Sequence, residues 1–208
     1  MLGKVSLVLI LIAAPLISQA QVTNLVINPS FEDENDIVDS NWVPGWVTWG
    51  EGVGLESEVI FDEEDFIDGA RSLRVEPKGS VNWHFMVINY PIALKMGKTY
   101  SASFWARAEE PRPITTKVKA NDNSVDFALT DFQITTDWAE YTKTFDAGAT
   151  DVKLEIWVSG TDVPVWLDFV YMYEGDYVEG IMPSEISSKS VESAGKLAVQ
   201  WSKLKTQQ

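Results

Sequence analysis

The segment from Val152 to Met172 constrains the fold more than any other, because it reads as two β-strands joined by a short turn. Apolar and mostly polar residues alternate in the first strand: Val152, Leu154, Ile156 and Val158 with Lys153, Glu155, Trp157 and Ser159. A period of two is typical of a strand with one face in a core and one face free. The second strand places Asp168 between two large apolar residues. An isolated buried charge is costly, so this carboxylate must be paired, protonated or bound to a metal ion.

The same strand pattern recurs along most of the chain. About ten β-rich runs lie between Asn24 and Tyr173, separated by turns rich in Gly, Pro, Asn and Asp, and none has a helical period. Thr99–Ala108 and Ile114–Asn121 are the longest of the alternating runs. The sequence therefore predicts an all-β sandwich of two antiparallel sheets over residues 21–180.

The two ends of the chain have a different composition. Met1–Ala20 has one lysine, a short apolar run and small residues before a cleavage position, which predicts a signal peptide and export to an extracellular or periplasmic location. We expect no membrane span after its removal. Residues 181–208 read as a linker and a short amphipathic helix with apolar positions at Val191, Ala194, Leu197, Ala198, Trp201 and Leu204. This helix is expected to pack on the sandwich, to bind a protein partner or to stay loose.

Composition narrows the function. The chain has 31 acidic and 16 basic residues, a net charge of −15, which argues against nucleic acid or an anionic membrane surface as a partner. It has no cysteine, so a bound metal ion is the natural substitute for disulfides outside the cell. A single histidine, His84, argues against His-cluster metal sites and Ser-His-Asp catalysis. Nine tryptophans favour stacking on a ligand.

Six short motifs follow one another in an order that resembles the carbohydrate-binding modules of families four, nine and twenty-two. They are Asn24–Glu32, Gly45-Trp46, Gly69–Val75, Gly97–Ala106, Trp138 with Tyr141 and Phe145, and Leu167–Val170. The resemblance covers nearly all of Asn24 to Tyr173. It implies a β-jelly roll whose concave sheet binds a polysaccharide or oligosaccharide, with a structural calcium ion that joins the first and last strands.

The resemblance also implies where the calcium ligands lie. The family's positions fall here on Ser30 and Glu32, on a backbone carbonyl at Arg71 or the nearby Gly69, and on Asp168. Calcium takes several hard oxygen ligands, which carboxylates and backbone carbonyls supply. The alternative is that Asp168 only accepts hydrogen bonds from the backbone.

For the sugar cleft, the resemblance implies eight residues: Trp49, Lys117, Lys119, Asn121, Phe127, Lys153, Glu155 and Trp157. Aromatic rings suit the apolar C–H faces of sugars, and amide and charged groups bind the hydroxyls. Four other indoles, those of Trp46, Trp83, Trp138 and Trp166, are expected in the core. The three lysines suit an acidic polysaccharide, or they are solvated surface charges.

Two other functions stay open at this point. The first is a structural or protein-interaction sandwich without a sugar site, with the C-terminal helix as its docking element. The second is a small glycosidase or polysaccharide lyase, although glycoside hydrolysis requires two carboxylates across a cleft. Glu155 is the one acid that the alternation assigns to the cleft, so we expect a binding module and not an enzyme.

Overall fold

The computed structural model describes residues 22–33, 45–179, 181 and 186–188. Twelve strands are present there: β1 (Val22–Asn24), β2 (Trp46–Gly50), β3 (Glu58–Asp62), β4 (Ser72–Glu76), β5 (Phe85–Ala93), β6 (Thr99–Ala108), β7 (Arg112–Ala120), β8 (Asp126–Ile134), β9 (Ala139–Asp146), β10 (Asp151–Trp157), β11 (Val165–Glu174) and β12 (Ile186–Ser188). Two 3₁₀ turns, Gly52–Glu56 and Asn82–His84, are the helical segments of the described chain. The predicted signal peptide and C-terminal helix lie outside the described residues.

Two five-stranded antiparallel sheets form the sandwich. We call the sheet with strand order β2-β5-β10-β7-β8 the front sheet and the sheet with order β3-β4-β11-β6-β9 the back sheet. The short strands β1 and β12 pair in parallel beside them. The prediction of an all-β sandwich of two antiparallel sheets is confirmed.

The alternation in β10 corresponds to one face in the core and one face free, as predicted. Val152 and Ile156 have no exposed surface and Leu154 is almost fully buried, and all three belong to the core between the sheets. The residues between them face outward. Strand β10 is the central strand of the front sheet, with β5 and β7 as neighbours.

Strand β11, in contrast, is buried on both faces. One face contributes Val165 and Leu167 to the core, and the other packs Phe169, Tyr171 and Tyr173 into a second apolar cluster with Ile181. A strand covered on both sides needs no polar face, which explains its nearly continuous apolar sequence.

Four indoles expected in the core have different environments. Trp46 is in the core, as predicted. Trp166 is buried on the outer face of the back sheet, where its ring lies 3.9 Å from the guanidinium of Arg107 and 5.1 Å from that of Arg74. Trp138 is half-buried and donates from its indole nitrogen to Asp65. Burial of a large ring by arginine side chains has no signature in apolar periodicity.

The first β-rich run of the sequence predicts a strand over Asn24–Asn28, and this prediction is wrong in its bounds. Strand β1 ends at Asn24, and the next residues bend. The fully buried Asn24 side chain accepts from the Val26 and Met172 backbone N–H groups and donates to the Val170 carbonyl. An asparagine that bonds to backbone groups in this way offers them an alternative to a strand ladder.

Candidate functional site

The outward side chains of the front sheet form three successive rows across the strands. Trp49, Met86, Trp157 and Thr115 are aligned in the first row, on β2, β5, β10 and β7. Ile88, Glu155 and Lys117 form the second row. Lys153 and Lys119 form the third. The face therefore changes from aromatic to basic along the strands.

A groove of about 400 Å³ lies over these rows. Its apolar lining is Trp49, Trp83, Met86, Ile88 and Trp157. Its polar lining is Lys117, Lys119, Asn123, Lys153 and Glu155. Trp49 is 41% exposed, so its indole face is open to a ligand. The opposite placement of the buried Trp46 and the exposed Trp49 agrees with their odd spacing in the strand.

Two of the indoles lie side by side at the aromatic end of the groove. The ring centroids of Trp49 and Trp83 are 6.2 Å apart, and the ring planes are tilted by 35°. Trp83 also meets the His84 imidazole edge-on at 4.8 Å. The third indole, that of Trp157, lies in the same row as Trp49. Such surfaces provide apolar platforms for a flat, apolar ligand face.

Glu155 holds the Trp157 indole in place. The Trp157 Nε1–H donates to Glu155 Oε2 at 3.0 Å, and the ammonium of Lys153 lies 3.5 Å from Glu155 Oε1. Glu155 is 5% exposed, so its carboxylate is a buried group with both oxygens in use. A hydrogen bond to a charged acceptor is stronger than one between neutral groups, so it restricts the ring.

The basic end of the groove contains three partly covered lysines. Lys117 Nζ is 2.5 Å from Asp126 Oδ2 and 5.3 Å from the Trp157 ring centroid. Lys119 Nζ is 3.5 Å from the other oxygen of Asp126. The hydrogen bond from Lys117 is the main cause that lowers the pKa of Asp126. These lysine side chains are 13–16% exposed, while that of Asp126 is 53% exposed at the rim.

Six of the eight residues that the resemblance assigned to the cleft line the groove, and two do not. Asn121 lies at the end of β7, where its backbone N–H donates to the Asp151 carbonyl. Phe127 packs on Phe145, with ring centroids 5.8 Å apart, and on the backbone of Gly148. Phe127 is turned away from the groove by a register shift at Lys119, which pairs Lys119 with Asp126.

Sequence reasoning missed Trp83, Asn123 and Asp126. The sequence of Val81–Asn89 predicts one alternating strand, and this prediction is wrong at its start, because Asn82–His84 form a 3₁₀ turn and β5 begins at Phe85. That turn places Trp83 in the groove and not in the core. The position of Asp126 could have been predicted from the sequence. The short turn at Asn121–Ser124 reverses the chain, so that Asp126 on β8 pairs with Lys119 on β7.

A second polar cluster lies where the first turn, an acidic loop and β11 meet. Asp168 has no exposed surface, and its carboxylate accepts from three backbone N–H groups, those of Ile67 (2.6 Å), Asp68 (2.9 Å) and Phe169 (2.6 Å). The buried Ser30 hydroxyl donates to Asp68 Oδ2 at 2.5 Å. We call Ser30, Asp68 and Asp168 the Asp168 site.

The other two predicted metal ligands lie next to this site but make different contacts. Glu32 Oε1 accepts from the backbone N–H groups of Ala70 and Arg71. The Arg71 guanidinium donates to the Phe31 and Asp33 carbonyls and stacks on Phe61 at 4.0 Å. A cation would therefore avoid this guanidinium, and Asp68 is the carboxylate that sequence reasoning did not include.

Electrostatics and backbone conformation both mark the Asp168 site as unusual. Burial raises the pKa of Asp168 to about 7 from 3.8, against the three backbone hydrogen bonds that lower it, and the nearby charge of Asp68 raises it further. Phe31 and Phe169 adopt positive φ angles of 61° and 41°, which are strained for bulky residues.

The site can be tested for fit to a metal ion on these observations. Carboxylate and hydroxyl oxygens meet there, which is the ligand chemistry of Ca²⁺. Across the described ranges, no cluster of three or more His, Asp or Glu side chains is arranged to hold a metal ion. A cation here would need backbone carbonyls as well, so the fit is to calcium and not to a metal that prefers nitrogen ligands.

A sandwich of two antiparallel five-stranded sheets places the chain among the jelly-roll type of β-sandwich domains. The profile of the CBM_4_9 family, described as "Carbohydrate binding domain", matches residues 23–164. The chain belongs to this family.

Solved structures support the same fold. A structure described as "CBM4 structure and function" is 25% identical, covers 72% of this chain and 99% of its own, and has a TM-score of 0.56. A putative sugar binding protein from Bacteroides thetaiotaomicron is 13% identical (74% and 100% covered, TM-score 0.57). The CBM22-1 xylan-binding domain of Paenibacillus barcinonensis Xyn10C is 12% identical (76% and 100% covered, TM-score 0.52). A search of curated proteins gave no match.

The described part of the chain contains no helix with the length and apolarity needed to cross a bilayer.

Proposed function

We propose that this protein is an exported, non-catalytic polysaccharide-binding module whose ligand lies in the groove of the front sheet. The observation that carries the proposal is the convergence of three indoles, those of Trp49, Trp83 and Trp157, with lysine and amide groups in one open groove. Membership of a carbohydrate-binding family supports the same ligand class.

The chemistry of the groove suits sugars. The electron-rich indole faces attract the C–H faces of a pyranose, and the rigid rings lose little conformational entropy on contact. Asn123 and the lysine ammonium groups supply hydrogen bonds for hydroxyls. An open groove admits a section of a long chain as well as a chain end.

The groove carboxylates support binding and not catalysis. Glycoside hydrolysis uses one carboxylic acid and one carboxylate placed across the scissile bond. Glu155 is buried and already bonded to Trp157, while Asp126 is engaged by Lys117 and Lys119 at the rim. Neither group is free to carry out proton transfer.

The proposal is tested by affinity gel electrophoresis and calorimetry of the mature protein against β-glucans, xylan, mannan, alginate, pectin and sulfated glycans. Trp49→Ala and Trp157→Ala remove groove rings, and Phe66→Ala removes a 39% exposed ring on the β3–β4 connection as a matched control. Binding of one glycan that both tryptophan variants lose, and that the control retains, supports the proposal. Unretarded migration of folded protein in every gel contradicts it.

We also propose a structural calcium ion at the Asp168 site. Asp168, Asp68 and Ser30 would hold it together with backbone carbonyls near Glu32, Gly69 and Arg71. The ion would neutralise the buried carboxylate and join the first turn, the acidic loop and β11, in a chain without disulfides. Thermal unfolding in EDTA, Ca²⁺ and Mg²⁺ tests this: we expect a Ca²⁺-specific rise in Tm in the wild type that Asp168→Asn abolishes. Equal Tm values in EDTA and Ca²⁺ contradict it.

Export is proposed from the character of Met1–Ala20 as a signal peptide. Expression of the full chain in a bacterial host, followed by mass spectrometry of the periplasmic fraction, tests it. We expect a mature chain that begins at Gln21, and an uncleaved protein in the cytoplasm would contradict export.

A further inference from the structure

We propose that the basic end of the groove binds an anionic sugar unit, a uronate or a sulfate ester, next to the sugar units that stack on the indoles. This inference rests on the proposed function, because it specifies the ligand of the same groove. The evidence for it is separate from the indole rings, because it is the arrangement of charge around the three groove lysines.

Lys119 and Lys153 are directly opposite each other on the neighbouring strands β7 and β10. Residues paired in this way have Cβ atoms about 4.5–5.5 Å apart, and like charges at such positions destabilise a sheet. Both side chains line the groove and are largely covered, with 14% and 16% of their surfaces exposed. The sheet therefore carries two like charges at paired positions in a partly desolvated place.

The carboxylates of the groove only partly compensate this charge. Lys117 and Lys119 share the single carboxylate of Asp126, and Lys153 shares Glu155 with the Trp157 indole. Three ammonium groups thus face two carboxylates. The ion pairs of Lys119 and Lys153 are both 3.5 Å long, which is longer than a normal charge-assisted hydrogen bond.

This local excess is opposite to the charge of the whole chain. The protein has a net charge of −15, with about twice as many acidic as basic residues. Exposed charges more than about 8–10 Å apart are largely screened at physiological ionic strength. A ligand anion in the groove therefore experiences mainly the charges within that distance, which include the three lysines and their two partners.

A neutral sugar does not relieve the repulsion between Lys119 and Lys153, but an anion between them does. A carboxylate or sulfate oxygen accepts short charge-assisted bonds from both ammonium groups, roughly twice as strong as bonds to a hydroxyl. Asp126 is the group that competes with it, and its exposed rim position lets it move aside.

The row order sets where the charged unit lies relative to the stacked units. Trp157 and Lys153 are four residues apart on the same face of β10, roughly 13 Å along the strand. The two side chains come closer than this backbone spacing, because Lys153 and Trp157 both contact the carboxylate of Glu155, so the charged unit lies directly beside the unit that stacks on Trp157. The ligand is a chain with an anionic unit beside units that stack.

The experiment compares an acidic glycan with its uncharged counterpart. Binding is measured by calorimetry at 150 mM NaCl, which screens the overall charge of the protein. The ligands are sodium alginate, polygalacturonate and the same two polymers after chemical reduction of their carboxyl groups. A sulfated glycan without uronate is the fifth ligand. The neutral glycans of the earlier panel serve as references. We expect at least tenfold weaker binding after carboxyl reduction, or selective binding of the sulfated glycan if the anion is a sulfate ester.

Three variants assign the effect to the basic end. Lys119→Gln and Lys153→Gln are each expected to weaken binding of the acidic glycan about three- to tenfold, with no change for Lys98→Gln, a control at an exposed lysine in the β5–β6 turn. Asp126→Asn removes the competing carboxylate and is expected to strengthen binding severalfold, with Asp137→Asn as its control. A gain of affinity cannot arise from misfolding.

The outcomes separate the two proposals. Equal affinity for the acidic polymers and their reduced forms without selective binding of the sulfated glycan, or tight binding of neutral glycans alone, overturns the anionic-sugar inference and leaves the sugar-binding function standing. Absence of binding to every glycan overturns both.

Discussion

The indole nitrogen of Trp157 donates a 3.0 Å hydrogen bond to a buried oxygen of Glu155, two residues earlier in the same strand. The bond fixes the edge of the ring and leaves its face to the groove. The two side chains therefore act as one unit, and replacing the carboxylate tests whether ring orientation matters for binding.

Glu155→Gln retains an oxygen that accepts from the indole, so we expect affinity for the groove ligand to fall no more than about threefold. Glu155→Ala leaves the ring unsupported and the Lys153 ammonium without its nearest partner, so we expect a loss of about ten- to thirtyfold, or roughly 1–2 kcal/mol. Calorimetry measures both. Equal losses in the two variants would show that charge, and not the hydrogen bond, is what the ligand requires.

Trp83 is predicted to contribute to binding in spite of its unremarkable position in the sequence. Its ring lies beside that of Trp49 and lines the groove while remaining half-buried. Trp83→Ala should weaken glycan binding at least tenfold, since truncation of a tryptophan hot spot at a binding interface costs about 2 kcal/mol or more. Trp83→Phe should restore most of it. Full affinity in the alanine variant would limit the platform to Trp49 and Trp157.

Arg112 is predicted to be essential for stability, although it lies outside the groove. Its guanidinium is buried and donates to the carbonyl groups of Val158, Ser159 and Val163, which form the turn after β10. Lysine cannot reproduce a planar fork of donors. We expect Arg112→Lys to lower the free energy of unfolding by about 2–4 kcal/mol, measured by urea denaturation.

The control for that variant is Lys78→Gln, because Lys78 pairs with Asp162 in an exposed ion pair. We expect a change below about 1 kcal/mol there. A similar decrease in the free energy of unfolding in both variants would mean that the three hydrogen bonds from Arg112 to carbonyl groups stabilise the fold no more than a surface ion pair does.

The raised pKa of Asp168 predicts a pH dependence of stability in EDTA. Because burial raises its pKa to about 7 from 3.8, the native state keeps a proton that the unfolded chain loses. This proton stabilises the folded state, and its contribution to the free energy of unfolding is fully present below about pH 4. The contribution is lost as the pH rises to about 7, at up to about 1.4 kcal/mol per pH unit. Asp168→Asn should remove that part of the slope between pH 4 and 7.

Calcium should reverse the effect in the wild type, because the ion binds the ionised carboxylate. We expect the Ca²⁺-induced gain in unfolding free energy to increase from pH 5 to pH 8, and calcium binding near pH 6 to release a proton. Urea denaturation in EDTA and in Ca²⁺ across this pH range measures both effects. Identical pH profiles of the wild type and Asp168→Asn in EDTA would contradict the prediction.

Regular alternation allowed much of the fold to be predicted from sequence, and the family resemblance assigned six of the residues that line the groove. In β10, the side chains of Lys153, Glu155 and Trp157 follow the period of two without a break, and their outward placement is confirmed. The pattern failed where the backbone leaves that period. A register shift turned Phe127 inward, and a 3₁₀ turn brought Trp83 into the groove.

The Asp168 site illustrates a different limit. The position of Asp168 in an apolar strand was evident, but its partner Asp68 lies 100 residues earlier in an acidic loop. Composition could not distinguish this aspartate from its exposed neighbours, because only the folded loop brings its backbone N–H to the buried carboxylate. Long-range pairing of this kind requires the tertiary structure.

The order of the three rows gives the groove a direction. An indole row at one end and a lysine pair at the other leave it without any internal twofold symmetry. A polysaccharide is also directional, with a reducing and a non-reducing end. Reversing the chain in the groove would exchange the units that meet the indoles with those that meet the lysines, so the two orientations differ in energy. A module built in this way would bind its polysaccharide chain with the reducing end in one fixed direction along the groove.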